Sequence, residues 1–301
     1  MTNPFLIAHH MGALDGWPHP ANTLEAIEAS LRDGADIIEI DATALADHDY
    51  LLVHDPVLES ETTGTGEVGA LSSAAARTLR VKWRGAATDH AVPQLRDVVA
   101  LFLRHPGHTQ LQIDFKNAVP FASDEPLQRL ADIVAPLGER VIVSSGADWQ
   151  MRRLRRFAPR LRLGYDIMWA IDWSAQPETR DPRELPKTVG AYGYLDDHPI
   201  AARRIWSTTV YLENRIEALL GLVPDVKVFY VRWSFILRCH ADGFDLPAFL
   251  HARGIAIDAW TLDVGRPGHA EACLALRALG VDFYKTNTPH AVRDLLTGKA
   301  R

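Results

Sequence analysis

Cysteine is scarce in this chain: Cys239 and Cys273 are the two among 301 residues. Two thiols cannot build a disulfide framework, and free cysteine suits a reducing compartment, so a cytoplasmic location is expected. No apolar run reaches the roughly 18 residues of a membrane-spanning helix, so no transmembrane segment is expected. No leader peptide is expected either, because Met1-Thr2-Asn3-Pro4 carries no basic residue and the apolar stretch that follows is short. Positive charge is in deficit, with 32 Lys and Arg against 38 Asp and Glu and a net charge of −6. Neutralising nucleic-acid phosphates takes clustered cations, so no nucleic-acid partner is expected. The one basic cluster, Arg152-Arg153-Leu154-Arg155-Arg156, reads as a solvated helix face. Neither a GxGxxG dinucleotide fingerprint nor a Walker A loop occurs, and there is no low-complexity linker or internal repeat.

What remains is an ordinary globular composition with 47% apolar side chains, ample for a core. Short apolar runs rich in Ile, Val, Leu and aromatics predict strands at 5–9, 36–41, 110–115, 141–144, 161–165, 226–231, 255–261 and 281–286. Residues 51–54 read as an extra strand or loop segment. Amphipathic patterns predict helices at 23–33, 94–104, 125–137, 149–157, 246–253, 269–279 and 291–296, the first opened by Asn22 and Glu25 in capping-box spacing. Gly34, Gly138, Gly254 and Gly280 stand where helices should stop. Regular β-then-α alternation means a parallel sheet covered on both faces. Eight such units fit a closed (β/α)8 TIM barrel, read as a single domain over residues 1–301. Two segments, 56–93 and 166–204, exceed ordinary loop length and read as excursions from the C-terminal face of the strands, where such barrels carry function.

The chemistry clusters at strand ends. Glu39 and Asp41 are two apart and so point the same way. Two ionised carboxylates that close repel unless a cation joins them, and a hard divalent ion takes oxygen ligands. Asp114 and Lys116 repeat the spacing on the next strand and offer a third carboxylate with a cation beside it. His9 and His10 end the first strand, where only one of the two points inward, and His54-Asp55-Pro56 follows the second. Imidazoles beside a carboxylate-held ion suit acid–base catalysis near neutral pH.

These residues resemble a known family. Ile7-Ala8-His9-His10-Met11-Gly12, Asn22-Thr23-Leu24-Glu25-Ala26, Gly34-Ala35-Asp36-Ile37-Ile38-Glu39-Ile40-Asp41, Val53-His54-Asp55-Pro56 and Leu111-Gln112-Ile113-Asp114-Phe115-Lys116 look like the glycerophosphodiester phosphodiesterase signature, in order. Ala259-Trp260-Thr261-Leu262 and Leu279-Gly280-Val281-Asp282 match its closing strands. The resemblance implies a (β/α)8 barrel with a catalytic histidine pair and Mg2+ or Ca2+ held by Glu39, Asp41 and Asp114. It further implies His54 as the second histidine and Lys116 at the phosphate. Aligning on the strand makes His9 catalytic, with His10 in place of the family's arginine. Aligning on Gly12 makes His10 catalytic, with Met11 in that place. Asp114 stands where the family usually has Glu, and the stretch from the first histidines to Glu39 is a few residues longer than usual.

The implied activity is hydrolysis of a small-molecule glycerophosphodiester to an alcohol and a phosphomonoester. One alternative keeps the site and cleaves a lipid headgroup, because His-Met with Asp-x-Lys is similar to the sphingomyelinase D-like phospholipases, whose disulfide-held loop is absent here. Another is a non-catalytic barrel that binds a phosphorylated ligand. Trp260, where the family also has tryptophan, and Trp233 are read as a wall for the alcohol part, suited to sugar stacking or a cationic headgroup. Lys285, near the last strand's end, is read as added charge at the phosphate, with packing at the barrel bottom as the alternative. A homo-oligomeric state is left open.

Overall fold

The computed structural model describes residues 4–16, 19–176 and 187–299. In chain order the strands are β1 (Leu6–His9), β2 (Ile37–Ala44), β3 (Tyr50–Leu51), β4 (Arg80–Trp83), β5 (Ala86–Ala91), β6 (Gln110–Phe115), β7 (Val141–Ser145), β8 (Arg162–Asp166), β9 (Val228–Arg232), β10 (Ala256–Trp260) and β11 (Phe283–Thr286). The helices are α1 (Leu24–Asp33), α2 (Ser73–Ala76), α3 (Leu95–Arg104), α4 (Glu125–Val134), α5 (Asp148–Phe157), α6 (Thr208–Leu220), α7 (Trp233–Ala241), α8 (Leu246–His251), α9 (His269–Ala278) and α10 (Pro289–Thr297). Strands β1, β2 and β6 to β11 pair in parallel, and β1 bonds both β2 and β11, so the eight close into a barrel. Each expected barrel strand is present, displaced by no more than three residues at either end.

Side chains alternate across the barrel wall. Outward residues such as Ile38, Ile40, Ile113 and Val143 join the helices in the main core. Inward residues Ile142, Val228 and Tyr230 pack together inside the barrel with Ala256, Trp260 and Phe283 at their edge. Gly164 makes room for this filling, because a Cβ there would stand 2.3 Å from the Tyr230 ring.

The helices α6 and α7 were not expected. Trp233 opens α7 directly after the last residue of β9, so the apolar run of the strand passes into Phe235, Ile236 and Cys239 with no turn residue to mark the change of period. Ser207 caps α6 by accepting from Val210 N–H, and the helix buries Tyr211, Leu212, Ile216 and Leu219. The Tyr211 ring stacks on Tyr192 of the preceding excursion at 4.0 Å. Thr23, not Asn22, caps α1 by accepting from Ala26 N–H. Asn22 has a positive φ of 63° and ties its side chain to the Leu52 carbonyl instead.

The segment 56–93 is more than a loop. It carries the β4–β5 hairpin, turned at Arg84 and Gly85 with φ of 52° and 81°, as tight hairpins require. Leu58, Val68, Leu79, Val81 and Val92 pack there with Leu45, Leu51 and Val53 as a small core of its own. Within 166–204, Asp172 bridges Leu195, while residues 177–186 of this stretch lie outside the described residues. Of the α5 arginines, Arg152 and Arg156 are exposed as a solvated face requires, whereas Arg153 and Arg155 are half-buried. Arg153 Nε donates to Asp124 Oδ1 at 2.6 Å, and Arg155 Nη1 donates to the Pro159 and Leu161 carbonyls at 2.9 and 2.8 Å.

Candidate active site

Glu39 and Asp41 alternate with Ile38 and Ile40, so burial of the isoleucines against helices turns both carboxylates into the barrel mouth. The β2–β6 register sets Asp41 opposite Asp114. One carboxylate oxygen from each of Glu39, Asp41 and Asp114 lies within 4.8 Å of the others. Lys116 Nζ sits between two of them, 2.9 Å from Asp41 Oδ1 and 2.6 Å from Asp114 Oδ2. Lys285 Nζ stands 3.5 Å from Glu39 Oε1. Burial alone would raise the Glu39 pKa, but Lys285, His10 and Lys116 outweigh it and hold the carboxyl below its ordinary range. Burial would likewise lower both lysines, yet the surrounding carboxylates push them up. Three carboxylates against two ammonium groups leave a negative charge over, and the buried Asp41 Oδ2 has no hydrogen-bond partner. An oxygen-only donor set with an orphaned carboxylate oxygen fits a hard divalent cation such as Mg2+ or Ca2+.

The two adjacent histidines part company. His9 ends β1 on the helix side of the wall, 98% buried, with Nδ1 3.2 Å from Ser30 Oγ on α1. Ser30 spends its own proton on the Gly12 carbonyl, so His9 is the donor of that pair. Burial pushes the His9 pKa down to about 4. His10 begins a single turn of 3-10 helix and lies at the mouth, with Nε2 3.8 Å from Glu39 Oε2 and Nδ1 2.9 Å from Asn287 Oδ1. The same turn brings Met11 N–H to Glu39 Oε2 at 3.1 Å, with Met11 at a φ of 51°.

His54 is exposed, and its Nδ1 lies 2.9 Å from Asp55 Oδ1. Glu61, from the 56–93 segment, accepts the backbone N–H of His54 at 2.9 Å and of Asp55 at 2.8 Å through one oxygen. Burial raises the Glu61 pKa, against the N–H of Asp55 that lowers it. A cleft of about 400 Å³ runs beside this loop, with Met11, Asn22, His54, Glu61 and Trp83 among its walls. The buried Asn22 Oδ1 has no partner there.

Trp260 ends β10 on the inward face, with the Arg232 guanidinium 4.8 Å above its ring. Trp233 opens α7 directly after β9 and packs against the His269 ring at 5.2 Å. Lys285 is inside the barrel, not at its rim, between Glu39 and the Tyr230 ring 5.0 Å away.

Sequence reasoning missed several residues of this mouth. Asp258 is two before Trp260 and therefore inward, by the spacing rule that selected Glu39 and Asp41. It is buried with neither carboxylate oxygen hydrogen-bonded. Asp166 ends β8, and burial, helped by Asp114, pushes its pKa up to about 7. Arg232 supplies a guanidinium from β9, paired to Asp172 at 3.3 Å. Asn287 and Asp263 follow β11 and β10 and reach His10 only through the closure of the barrel.

The fold and the site together define a (β/α)8 barrel with an acidic, histidine-bearing mouth, and the comparisons identify its family. The sequence model of the glycerophosphoryl diester phosphodiesterase family matches residues 10–291, so the chain belongs to that family. Over 180 residues it is 29% identical to a protein of Mycobacterium tuberculosis named "Probable glycerophosphodiester phosphodiesterase 1", a match spanning 54% of this chain and 65% of that protein. Human glycerophosphodiester phosphodiesterase 1 is 34% identical over 103 residues, 33% of this chain and 30% of that protein. The matches to these curated relatives thus span less than two thirds of their length. Among solved structures, a glycerophosphodiester phosphodiesterase from Parabacteroides distasonis superposes with a TM-score of 0.67 over 100% of both chains at 14% identity. An Oleispira antarctica phosphodiesterase in complex with the product sn-glycerol-3-phosphate superposes with a TM-score of 0.62 at 16% identity, over 97% of this chain and 96% of that one. These likenesses establish the barrel fold.

Proposed function

We propose that this chain is a metal-dependent phosphodiesterase that hydrolyses a soluble glycerophosphodiester to an alcohol and a phosphomonoester. The observation that carries the reading is the triad of buried Glu39 and Asp41 with half-buried Asp114, one carboxylate oxygen unpaired, directly beside His10. Those three residues would hold Mg2+ or Ca2+, which when bound neutralises phosphate charge and stabilises charge growing on its oxygens. His10, through Nε2, and His54 form the acid–base pair: one takes the proton of the attacking hydroxyl and the other supplies one to the departing alkoxide. The Lys116 ammonium faces the phosphate from the floor of the mouth, and the Arg232 guanidinium over Trp260 gives the ester a second cationic contact. His9, neutral and against α1, takes no part. The alcohol occupies the cleft beside His54, and Trp260 borders the phosphate end. The product held by the Oleispira protein, sn-glycerol-3-phosphate, is of the class expected here. Buried, unpaired Cys239 and Cys273 support a reducing compartment such as the cytoplasm. Incubation with glycerophosphocholine or glycerophosphoethanolamine tests the reading: glycerol phosphate should appear, and chelation should stop it. Release that persists in EDTA and in the Glu39→Ala, Asp41→Ala variant contradicts it.

A specific observation favours a second substrate class. Val119 is 78% exposed, Ile205 57%, Val189 54% and Trp206 38%. All four lie in segments that follow barrel strands β6 and β8, on the mouth side. Exposed apolar side chains on that side suit contact with a lipid surface, and headgroup release from lysophospholipid micelles is the test. Turnover of soluble diesters with none of the micellar substrate removes it.

A further inference from the structure

We propose that Asp263 and Asn287 form a relay that fixes the tautomer and orientation of His10, making both of them positioning residues for chemistry at Nε2. The proposal rests on reading His10 as a catalytic residue. Its own evidence is a chain of hydrogen bonds whose polarity admits one solution.

Asp263, three residues past β10, is buried and lies 3.4 Å from the Arg266 guanidinium through Oδ2. Its Oδ1 accepts the backbone N–H of Asn287 at 2.8 Å, and Thr286 Oγ1 lies 3.4 Å from the same oxygen. With those donors around it the group is a carboxylate, which only accepts. The Asn287 side chain stands 3.1 and 3.2 Å from the two Asp263 oxygens. The end of the amide facing Asp263 must therefore be the NH2. That settles an orientation which carbon and nitrogen positions alone leave ambiguous, and it turns the amide oxygen toward His10. A carbonyl oxygen cannot donate, so the bond from Asn287 Oδ1 to His10 Nδ1, at 2.9 Å, requires the proton on Nδ1. In the neutral imidazole Nε2 is then the bare nitrogen, on the side of Glu39. The backbone is fixed at both ends of the relay: Asp263 N–H donates to His269 Nδ1 at 3.0 Å, and the His10 turn returns Met11 N–H to Glu39.

The geometry also states what kind of orienter this is. A carboxylate in contact with Nδ1–H would add a full negative charge to a mouth that already holds an excess of them. A neutral amide holds the ring without adding one and leaves the charge one residue further back, on Asp263. Exchanging the two side chains, by Asp263→Asn with Asn287→Asp, keeps a donor opposite an acceptor between positions 263 and 287 and at His10 Nδ1, and gives up only the Asp263 Oδ2 contact with the exposed Arg266. Either change alone does not keep that match: Asn287→Asp sets two carboxylates face to face.

Four variants test this with Mg2+ present: Asn287→Ala, Asn287→Asp, the double exchange and His10→Ala. Steady-state rates, melting temperature and the imidazole 15N signals of His10 are the readouts. Asn287→Ala should lower kcat roughly 10- to 100-fold, less than the loss of a charged orienter from a catalytic triad. KM should stay within about threefold, and the His10 signal should move from the Nδ1–H tautomer toward Nε2–H. Asn287→Asp alone should lose at least as much. The double exchange should recover kcat to within about tenfold of the parent and restore the Nδ1–H signature. A purely structural stitch between the two loops would move melting temperature in step with activity, would leave the tautomer alone and would overturn the proposal. So would full activity in Asn287→Ala while His10→Ala is inactive. If His10→Ala itself keeps full activity, the catalytic reading of His10 falls, and this inference with it.

Discussion

Lys116 and Asp41 meet at 2.9 Å on neighbouring strands of the barrel, and the same ammonium lies 2.6 Å from Asp114. One lysine thus keeps apart two carboxylates that would otherwise repel in a largely dry site. Lys116→Met should therefore destabilise the protein by about 3–5 kcal/mol, the range seen when one partner of a buried ion pair is removed. Added Mg2+ or Ca2+ should return much of that loss, because the cation takes over the same oxygens. Thermal melting of the variant with and without the ion checks this, and a melting temperature indifferent to the ion contradicts it.

The two histidines should separate cleanly. His10→Ala is expected to cost roughly 10²–10⁴ in kcat, the usual size of an acid–base contribution, with little change in melting temperature. His9→Ala should do the reverse, since His9 bonds Ser30 behind the barrel wall: activity within a few-fold, stability lower by about 1–3 kcal/mol for an emptied buried site. Parallel kinetics and melts distinguish them.

How far was this arrangement legible in the residues? Glu39, Asp41, Asp114 and Lys116 were, because spacing of two along a buried strand fixes the side and the position along the barrel. The choice between His9 and His10 was not. Strand alternation separates the pair but does not say where the strand ends, and β1 stops at His9, so His10 turns with the following loop. Trp233 is the residue after β9 and opens α7, so strand alternation does not fix the direction of its ring. The Asn287–Asp263 relay joins residues 24 apart to a histidine 277 residues away from Asn287, and only closure of the barrel makes them neighbours. The hairpin of the 56–93 segment was hidden because its strands are mostly exposed and lack a sustained apolar run.

Asp258 offers a pH test. Burial pushes its pKa up to about 7, with Lys285 opposing and Glu39 adding to the rise. The unfolded chain holds the group near its ordinary value of about 3.9. The fold therefore favours the neutral acid, so its contribution is complete below about pH 4 and is lost as pH rises through about 7. Asp258→Asn removes that dependence. In EDTA its advantage over the parent should grow by roughly 1–3 kcal/mol, a few degrees of melting temperature, between pH 5 and pH 8. An advantage that shrinks over that interval would show the carboxylate to be favoured instead.

Glu61 should matter through His54. Its one oxygen accepts two N–H groups at the base of the His54 loop, which an amide oxygen can also do. Glu61→Gln is expected to keep activity within about threefold, while Glu61→Ala, which leaves both donors unpaired, should lower kcat by about tenfold or more. Equal losses in the two variants would instead assign the effect to the charge.

The central claim is that three clustered carboxylates and a histidine pair hydrolyse a phosphodiester with a divalent ion held by the carboxylates. The most direct measurement is glycerol phosphate release from glycerophosphocholine by the chelated protein, titrated with Mg2+ or Ca2+, for the parent and for Glu39→Ala with Asp41→Ala. The account predicts no release in EDTA, recovery that saturates with the ion in the parent, and none at any ion concentration in the variant. Equal release by both proteins, or release untouched by chelation, would contradict it.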